Sequence, residues 1–363
     1  MTTAPAPPPP SGVSRTPAPA RPRPRTDAAA ARAGRHRPLL LLVCVALLLA
    51  TAVLSVMVGA RTIAPGTVWD ALFHFDDSDE HLMVRELRVP RTLIGLLAGV
   101  CLGLSGALIQ AFTRNPLADP GILGVNSGAS LAVTFAVAVL GIGGAAQFLW
   151  FALGGAFVLT VLVYALGAIG PDRASPVKLT LAGVAFSAVC SGITSALVLK
   201  STATLDVMRF WGVGSIGGRS LDILPVALPL IATGVLLGLA SARSLNALAL
   251  GDDSARALGT RLTLTRVTVV LAITLLAGTA VAVAGPISFV GLMVPHTVRW
   301  FVGPDQRWIL PLTVLVAPSF LLIADIVGRI VLPTGELRVG LVTALVGAPL
   351  LVVLVRRRKA SSL

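Results

Sequence analysis

"TLIGLLAGVCLGLSGALIQAFTRNPLADPGILGVNSGAS", residues 92–130, opens with an uncharged apolar run. A turn follows that carries Arg114, Asn115, Asp119 and two prolines, and then a second apolar run begins. A helix needs about 20 apolar residues to cross the hydrocarbon core of a bilayer, and the first run, 92–112, is that long. The stretch therefore predicts two membrane helices joined by an ordered polar turn. Within the first run Gly95, Gly99, Gly103 and Ala107 fall four apart, which places them on one helical face. Small residues at that spacing let a second helix approach backbone to backbone, so this helix is expected inside a bundle rather than against lipid.

The pattern extends along the chain. Of 363 residues 55% are hydrophobic and only 12% charged, whereas a soluble domain carries about 25% charged residues. Apolar runs lie at 39–59, 92–112, 121–141, 148–169, 179–199, 223–242, 267–284, 286–302, 308–328 and 339–355. This predicts an all-α polytopic membrane protein with about ten transmembrane helices. The stretch 267–295 is uncharged and split only by Gly285-Pro286, so pattern alone allows eight to ten crossings. A transmembrane barrel would show alternating segments of about ten residues instead, and none appear. Residues 1–38 hold ten of the 25 prolines and read as a disordered tail. The 39–59 run is longer than a signal-peptide core and is preceded by too long a region to be one, so it reads as a retained first helix. The domains expected are thus the tail 1–38, a transmembrane domain 39–355, and a basic tail 356–363.

The net charge of +13 raises the question of nucleic acid, but its placement points elsewhere. Seven arginines stand in residues 1–38 and four cations in "RRRKASSL", with no aromatic residues among them to stack bases. Cations bias membrane orientation instead. With the amino terminus inside, the inner segments hold 20 Lys/Arg and the outer ones nine, which puts both termini and the 113–120 turn in the cytoplasm. Cys44, Cys101 and Cys190 each sit alone in an apolar run and read as small core residues, neither zinc ligands nor a disulfide framework.

The chemistry of an energy source is missing. A phosphate-binding loop needs Gly-Lys, and none of the three lysines, Lys178, Lys200 and Lys359, follows a glycine. An ion-coupled carrier keeps ionisable groups in mid-membrane. Here Asp325 stands near a helix end with Arg329 one turn on, an arrangement that an i, i+4 ion pair explains. "HFDDSDEH" (74–81) offers His74, His81 and four acids without a defined coordination geometry, and reads as a solvated loop. No metal is expected on this chain. In "RSLNALALGDDSARALGTRLTLTR" (243–266), "DDSARALG" reads as a short helix started by Asp252 or Asp253 and ended by Gly259. From the residues alone it is either a docking piece for a soluble partner or a plain surface helix.

Five ordered motifs resemble the membrane subunits of FecCD-type ABC importers for iron-siderophores, haem and cobalamin. They are residues 86–130, "LNALALGDDSARALG", "GPISFVGLMVPHTVRWFVGPDQRWILP", "LLIADIVGRI" and "GLVTALVGAP". The resemblance covers about 40–355. It implies the type II permease architecture: ten helices per subunit, a second permease subunit (identical or related), two ATPase subunits below, and an extracytoplasmic binding protein, periplasmic or lipid-anchored. It implies no catalytic residues and no cofactor on this chain, with ATP and magnesium held by the ATPases. A ferric siderophore is the expected cargo, cobalamin or haem the alternative, and a self-sufficient carrier or channel the reading from a different class. By the same resemblance Asn115, Leu117, Ser175 and Pro176 are cytoplasmic gate positions. Leu248, Gly251, Asp252, Ala255 and Gly259 match the ATPase-coupling segment. Arg88, Arg91 and Arg329 match positions that receive acidic residues of the binding protein. The helices at 179–199 and 339–355 are implied to line the pathway. Arg338 stands where the family has proline, at the outer start of the last helix.

Overall fold

A computed structural model describes residues 27–167, 169, 176–332 and 335–358. Among these every regular element is helical. In chain order they are α1 Asp27–Met57, α2 Pro65–Phe73, α3 Asp79–Leu82, α4 Val89–Thr113, α5 Val125–Ala138 and α6 Ala145–Gly167. Next come α7 Pro176–Leu199, α8 Thr202–Trp211, α9 Leu224–Ala240, α10 Ala242–Ala249 and α11 Asp252–Ala257. The chain ends with α12 Leu262–Ala284, α13 Val290–Val302, α14 Gln306–Ile330 and α15 Val339–Arg358. A π-helical stretch, Met83–Arg88, joins α3 to α4.

Each of the ten apolar runs falls on a helix: α1, α4, α5, α6, α7, α9, α12, α13, α14 and α15. Among the described residues seven helices are long and apolar enough to cross a membrane. Of the other three, two are shorter. α5 has 14 residues and α13 has 13, so each spans about 20 Å at 1.5 Å per residue. The non-helical backbone next to them must therefore be satisfied inside the protein. Pro286-Ile287 before α13 and Pro120–Leu123 before α5 are accordingly buried or half-buried.

The helices divide into a centre and a periphery. The apolar window of α4 is 78% buried and that of α12 is 72%, against 17% for α1 and for α7. α4 is the axis, wrapped by α14, α12 and α13. A Cβ at Gly99 would stand 2.3 Å from the Pro318 Cα, one at Gly103 2.2 Å from the Ala317 Cβ, and one at Gly95 2.7 Å from Leu322. The glycine stripe is thus the seam along which α14 lies on α4. Gly106, off that stripe, does the same for α13: its Cβ would fall 2.0 Å from the Gly291 carbonyl oxygen. Gln110 fixes the second seam by donating from Nε2 to the carbonyls of Gly291 (3.1 Å) and Leu292 (3.0 Å).

Two boundaries differ from the sequence expectation. α1 starts at Asp27, so residues 27–38 are helical rather than part of the disordered tail. Their alanines and arginines are strong helix formers, and a long helix already nucleated at 39–57 extends through them. Likewise α15 reaches Arg358. Residues 1–26 and 359–363 lie outside the described residues.

Candidate functional site

The polar turn after α4 is built from its own side chains. The N–H of Arg114 bonds the Ala111 carbonyl and that of Asn115 bonds the Gln110 carbonyl. This closes α4 in a Schellman motif with Arg114 in the left-handed region, φ 52°. Glycine is the usual occupant there, and an L side chain costs about 1–2 kcal/mol. Asn115 Oδ1 then accepts the Leu117 N–H at 3.0 Å, an Asx turn. Asp119 Oδ1 accepts the Gly121 N–H at 2.8 Å. Desolvation pushes the Asp119 carboxyl above its ordinary value, against the smaller opposing pull of that N–H.

The turn packs on α7. A Cβ at Gly183 would fall 1.8 Å from the Ile122 carbonyl oxygen, so the two backbones touch. Thr113, Asn115, Ala118 and Ile122 line a cavity of about 220 Å³ together with Val177, Thr180 and Leu181 of α7. The structure therefore brings Asn115 to the start of α7, which begins at Pro176. Leu117 is half-buried in the same turn. Ser175 lies outside the described residues, as does the side chain of Pro176.

The second polar segment holds α10 and α11. α11 lies between Gly251 (φ 106°) and Gly259 (φ 80°). Its end is a second Schellman motif: Thr260 N–H bonds the Ala255 carbonyl at 3.0 Å and Gly259 N–H bonds Arg256 at 2.9 Å. Neither aspartate caps its start, contrary to the expectation, because Gly251 takes the N-cap position. Asp253 pairs with Arg256 at 2.7 Å. Asp252 turns back toward the bundle, with Arg114 Nη2 at 2.6 Å from one oxygen and Arg266 Nη2 of α12 at 2.5 Å from the other. Leu248 and Ala255 are buried, while Leu250 and Leu258 are each 65% exposed. α10 is tied down separately. Asn246 Nδ2 donates to Asp305 Oδ1 at 2.7 Å, and the Gln306 N–H donates to Asn246 Oδ1 at 2.9 Å. Desolvation raises the Asp305 carboxyl, but the side-chain bonds from Arg307 and Asn246, with the Arg307 N–H, together prevail and hold it below the usual carboxylate value.

At the opposite end of the bundle stand the three arginines expected to receive a partner's acids, and each already has partners within the chain. Arg88, 6% exposed, donates to the carbonyls of Val56 (3.0 Å), Met57 (2.7 Å) and Arg61. Arg329, 3% exposed, donates to the carbonyls of Ser55 (2.7 Å) and Val58 (3.0 Å), to Ser55 Oγ (3.0 Å) and to Asp325 (2.8 Å). The last carbonyls of a helix have no partners within it and carry partial negative charge, so buried cations satisfy them. Arg88 and Arg329 are thus clamps on the end of α1, with their donors spent inside the chain. Arg91 bridges Asp325 (2.8 Å) and Glu336 (2.6 Å), and its side chain keeps 13% exposure. The i, i+4 pair of Asp325 and Arg329 is present, but buried within this cluster rather than at a membrane face.

The loop at 74–81 is organised by the buried His81, whose Nδ1 lies 2.7 Å from Asp76 Oδ1. Among the described residues no three His, Cys, Asp or Glu side chains stand together as a metal site.

A family profile described as the FecCD transport family matches residues 47–357. The ferric enterobactin transport system permease protein FepD of Escherichia coli K12 is 49% identical over 86% of this chain and 93% of its own. The chain belongs to the FecCD transport family. This FecCD chain is also 35% identical to the hemin transport system permease protein HmuU of Yersinia pestis, over 86% of this chain and 94% of that one. A solved structure titled an inward-facing conformation of a putative metal-chelate type ABC transporter superposes with a TM-score of 0.76 at 30% identity, covering 88% of this chain and 99% of the other. The FecCD chain is accordingly a polytopic, all-helical transport permease and no enzyme in its own right.

Proposed function

We propose that this FecCD chain is the membrane permease subunit of an ATP-binding-cassette importer that passes a ferric siderophore from an extracytoplasmic binding protein to the cytoplasm. The observation that carries this reading is α11, a short helix fixed between two positive-φ glycines and ion-paired to the gate turn. A rigid piece of that kind moves as a body when a soluble subunit pushes on it, which is how closure of an ATPase pair reaches a gate. Leu250 and Leu258 give such a subunit exposed apolar contacts, and Leu248 and Ala255 anchor the segment beneath them.

The siderophore is favoured by the 49% identity to a ferric enterobactin permease, and haem is the second reading through HmuU. The chain binds no cofactor itself; ATP and magnesium belong to the ATPases. A second permease subunit lies against the exposed α7 and α15, enclosing the pathway between them. Both termini and α10–α11 face the cytoplasm. Arg91, with Glu336 beside it, is the docking contact for the binding protein, and Arg88 and Arg329 shape the platform on which it sits.

The test is uptake of labelled ferric chelates, haem and cobalamin in a strain lacking this chain, with and without its restoration. Restoration of ferric siderophore uptake alone fits the proposal. Restoration of only haem or cobalamin uptake moves the substrate, and uptake that survives removal of every ATPase removes the importer assignment.

A further inference from the structure

We infer that Arg114 is a positioning residue that ties the cytoplasmic gate turn to the coupling helix through Asp252, with Arg266 as the fixed post on α12. This rests on the importer reading above and names the contact through which α11 acts on the gate.

Three observations converge on it. First, Asp252 does not do what an acid at a helix start ordinarily does. It caps nothing, and both carboxylate oxygens are taken by guanidinium groups from other elements, at 2.6 and 2.5 Å. Charge-assisted bonds of that length fix direction as well as distance. Second, Arg114 holds a left-handed backbone conformation in which glycine would be unstrained. A strained residue persists where its surroundings over-determine it, and here the surrounding group is Asp252. Third, the neighbour of Arg114 is Asn115, whose side chain folds the turn and lines the cavity against α7. Among the described residues no other hydrogen bond or ion pair joins 113–124 to 242–261.

The geometry separates three bodies: α12 with Arg266, α11 with Asp252, and the gate turn with Arg114. A shift of α11 pulls the turn directly, because the gate position Asn115 is the very next residue after Arg114. Arg114 and Asp252 are both partly solvated, and pairs of that kind contribute little to stability. Breaking this one should therefore spare folding and assembly and show in coupling.

The test uses the full assembly, permease with its ATPases and binding protein in membrane vesicles, in a chain whose three cysteines are replaced by alanine. Leu117→Cys reports the gate through its rate of labelling by a maleimide added to the cytoplasmic face, measured without nucleotide and with ATP plus vanadate. We expect nucleotide to change that rate with Arg114 in place. Arg114→Gln should cut the nucleotide-dependent change about tenfold, within the usual range of coupling factors. ATPase co-purification and hydrolysis should stay as before, and Arg114→Lys should recover most of the response. Asp252→Asn combined with Arg114→Gln should be no worse than the single variant. A full gate response with Arg114→Gln, or additive losses in the double variant, would overturn the inference. So would loss of the ATPases from the Asp252→Asn assembly, which would place Asp252 at the subunit contact. If the rate does not respond to nucleotide with Arg114 intact, the importer reading itself fails.

Discussion

Asp325 shows how far a single residue's meaning lies beyond its sequence neighbourhood. Its carboxylate is buried and takes Arg91 from α4 and Arg329 from its own helix. Replacing it with alanine leaves the buried Arg329 without its counterion and Arg91 with Glu336 alone. Removing one partner of a buried pair costs about 3–5 kcal/mol, so Asp325→Ala should lower the thermal unfolding midpoint of the detergent-solubilised chain sharply, read by a thiol-reactive dye or circular dichroism. Docking is best tested at Arg91, because reversing Arg88 or Arg329 would break the end of α1 first. Arg91→Gln should weaken binding-protein association measured on immobilised permease and leave ATPase co-purification unchanged; equal binding by both forms would remove Arg91 from the contact. The i, i+4 pairing of Asp325 and Arg329 was legible in the sequence. The clamping of α1 by Arg88 and Arg329 was not, since the carbonyls they satisfy lie 27 to 274 residues away in the chain. The left-handed Arg114 was hidden too, because nothing but a glycine or asparagine advertises that conformation.

At the scale of elements, the periodic features carried over well. The four-residue spacing of glycines in α4 marked a packing face, and the structure supplies α14 as what fills it. Gly106 was missed because it lies on a second face, and only Gln110, a polar side chain in an apolar helix, hinted at another close neighbour. α11 was legible from Gly259, whose φ of 80° a β-branched residue tolerates poorly. Gly259→Val should therefore deform the Schellman end of α11 and lower uptake per ATP hydrolysed in proteoliposomes, with hydrolysis retained; unchanged stoichiometry would free α11 of the coupling role. In the gate turn, Asp119→Asn keeps an acceptor for the Gly121 N–H and removes the desolvated charge. It should leave stability unchanged or slightly raised at neutral pH. Asp119→Ala, which loses the acceptor, should cost about 0.5–2 kcal/mol. The sign follows from the raised carboxyl value: relative to the unfolded chain, folding disfavours the charged form, so the penalty is absent at low pH and grows as pH rises through the folded value.

For the whole molecule, composition alone decided the class, because a chain with 12% charged residues offers too little polar surface for a soluble domain of this length. Length arguments were less secure: α5 and α13 are shorter than the runs that announced them, and their flanking backbone is satisfied by neighbours that sequence does not name. The central claim is that the pathway is passive and is moved by nucleotide hydrolysis on another subunit. Its most direct measurement is uptake of a radio-iron-labelled ferric siderophore, the one whose uptake this chain restores in a strain lacking it, into proteoliposomes holding the permease, its ATPases and its binding protein. The account predicts uptake with ATP on the ATPase side, abolished by vanadate and indifferent to a proton gradient. Uptake driven by a proton gradient without nucleotide would contradict it.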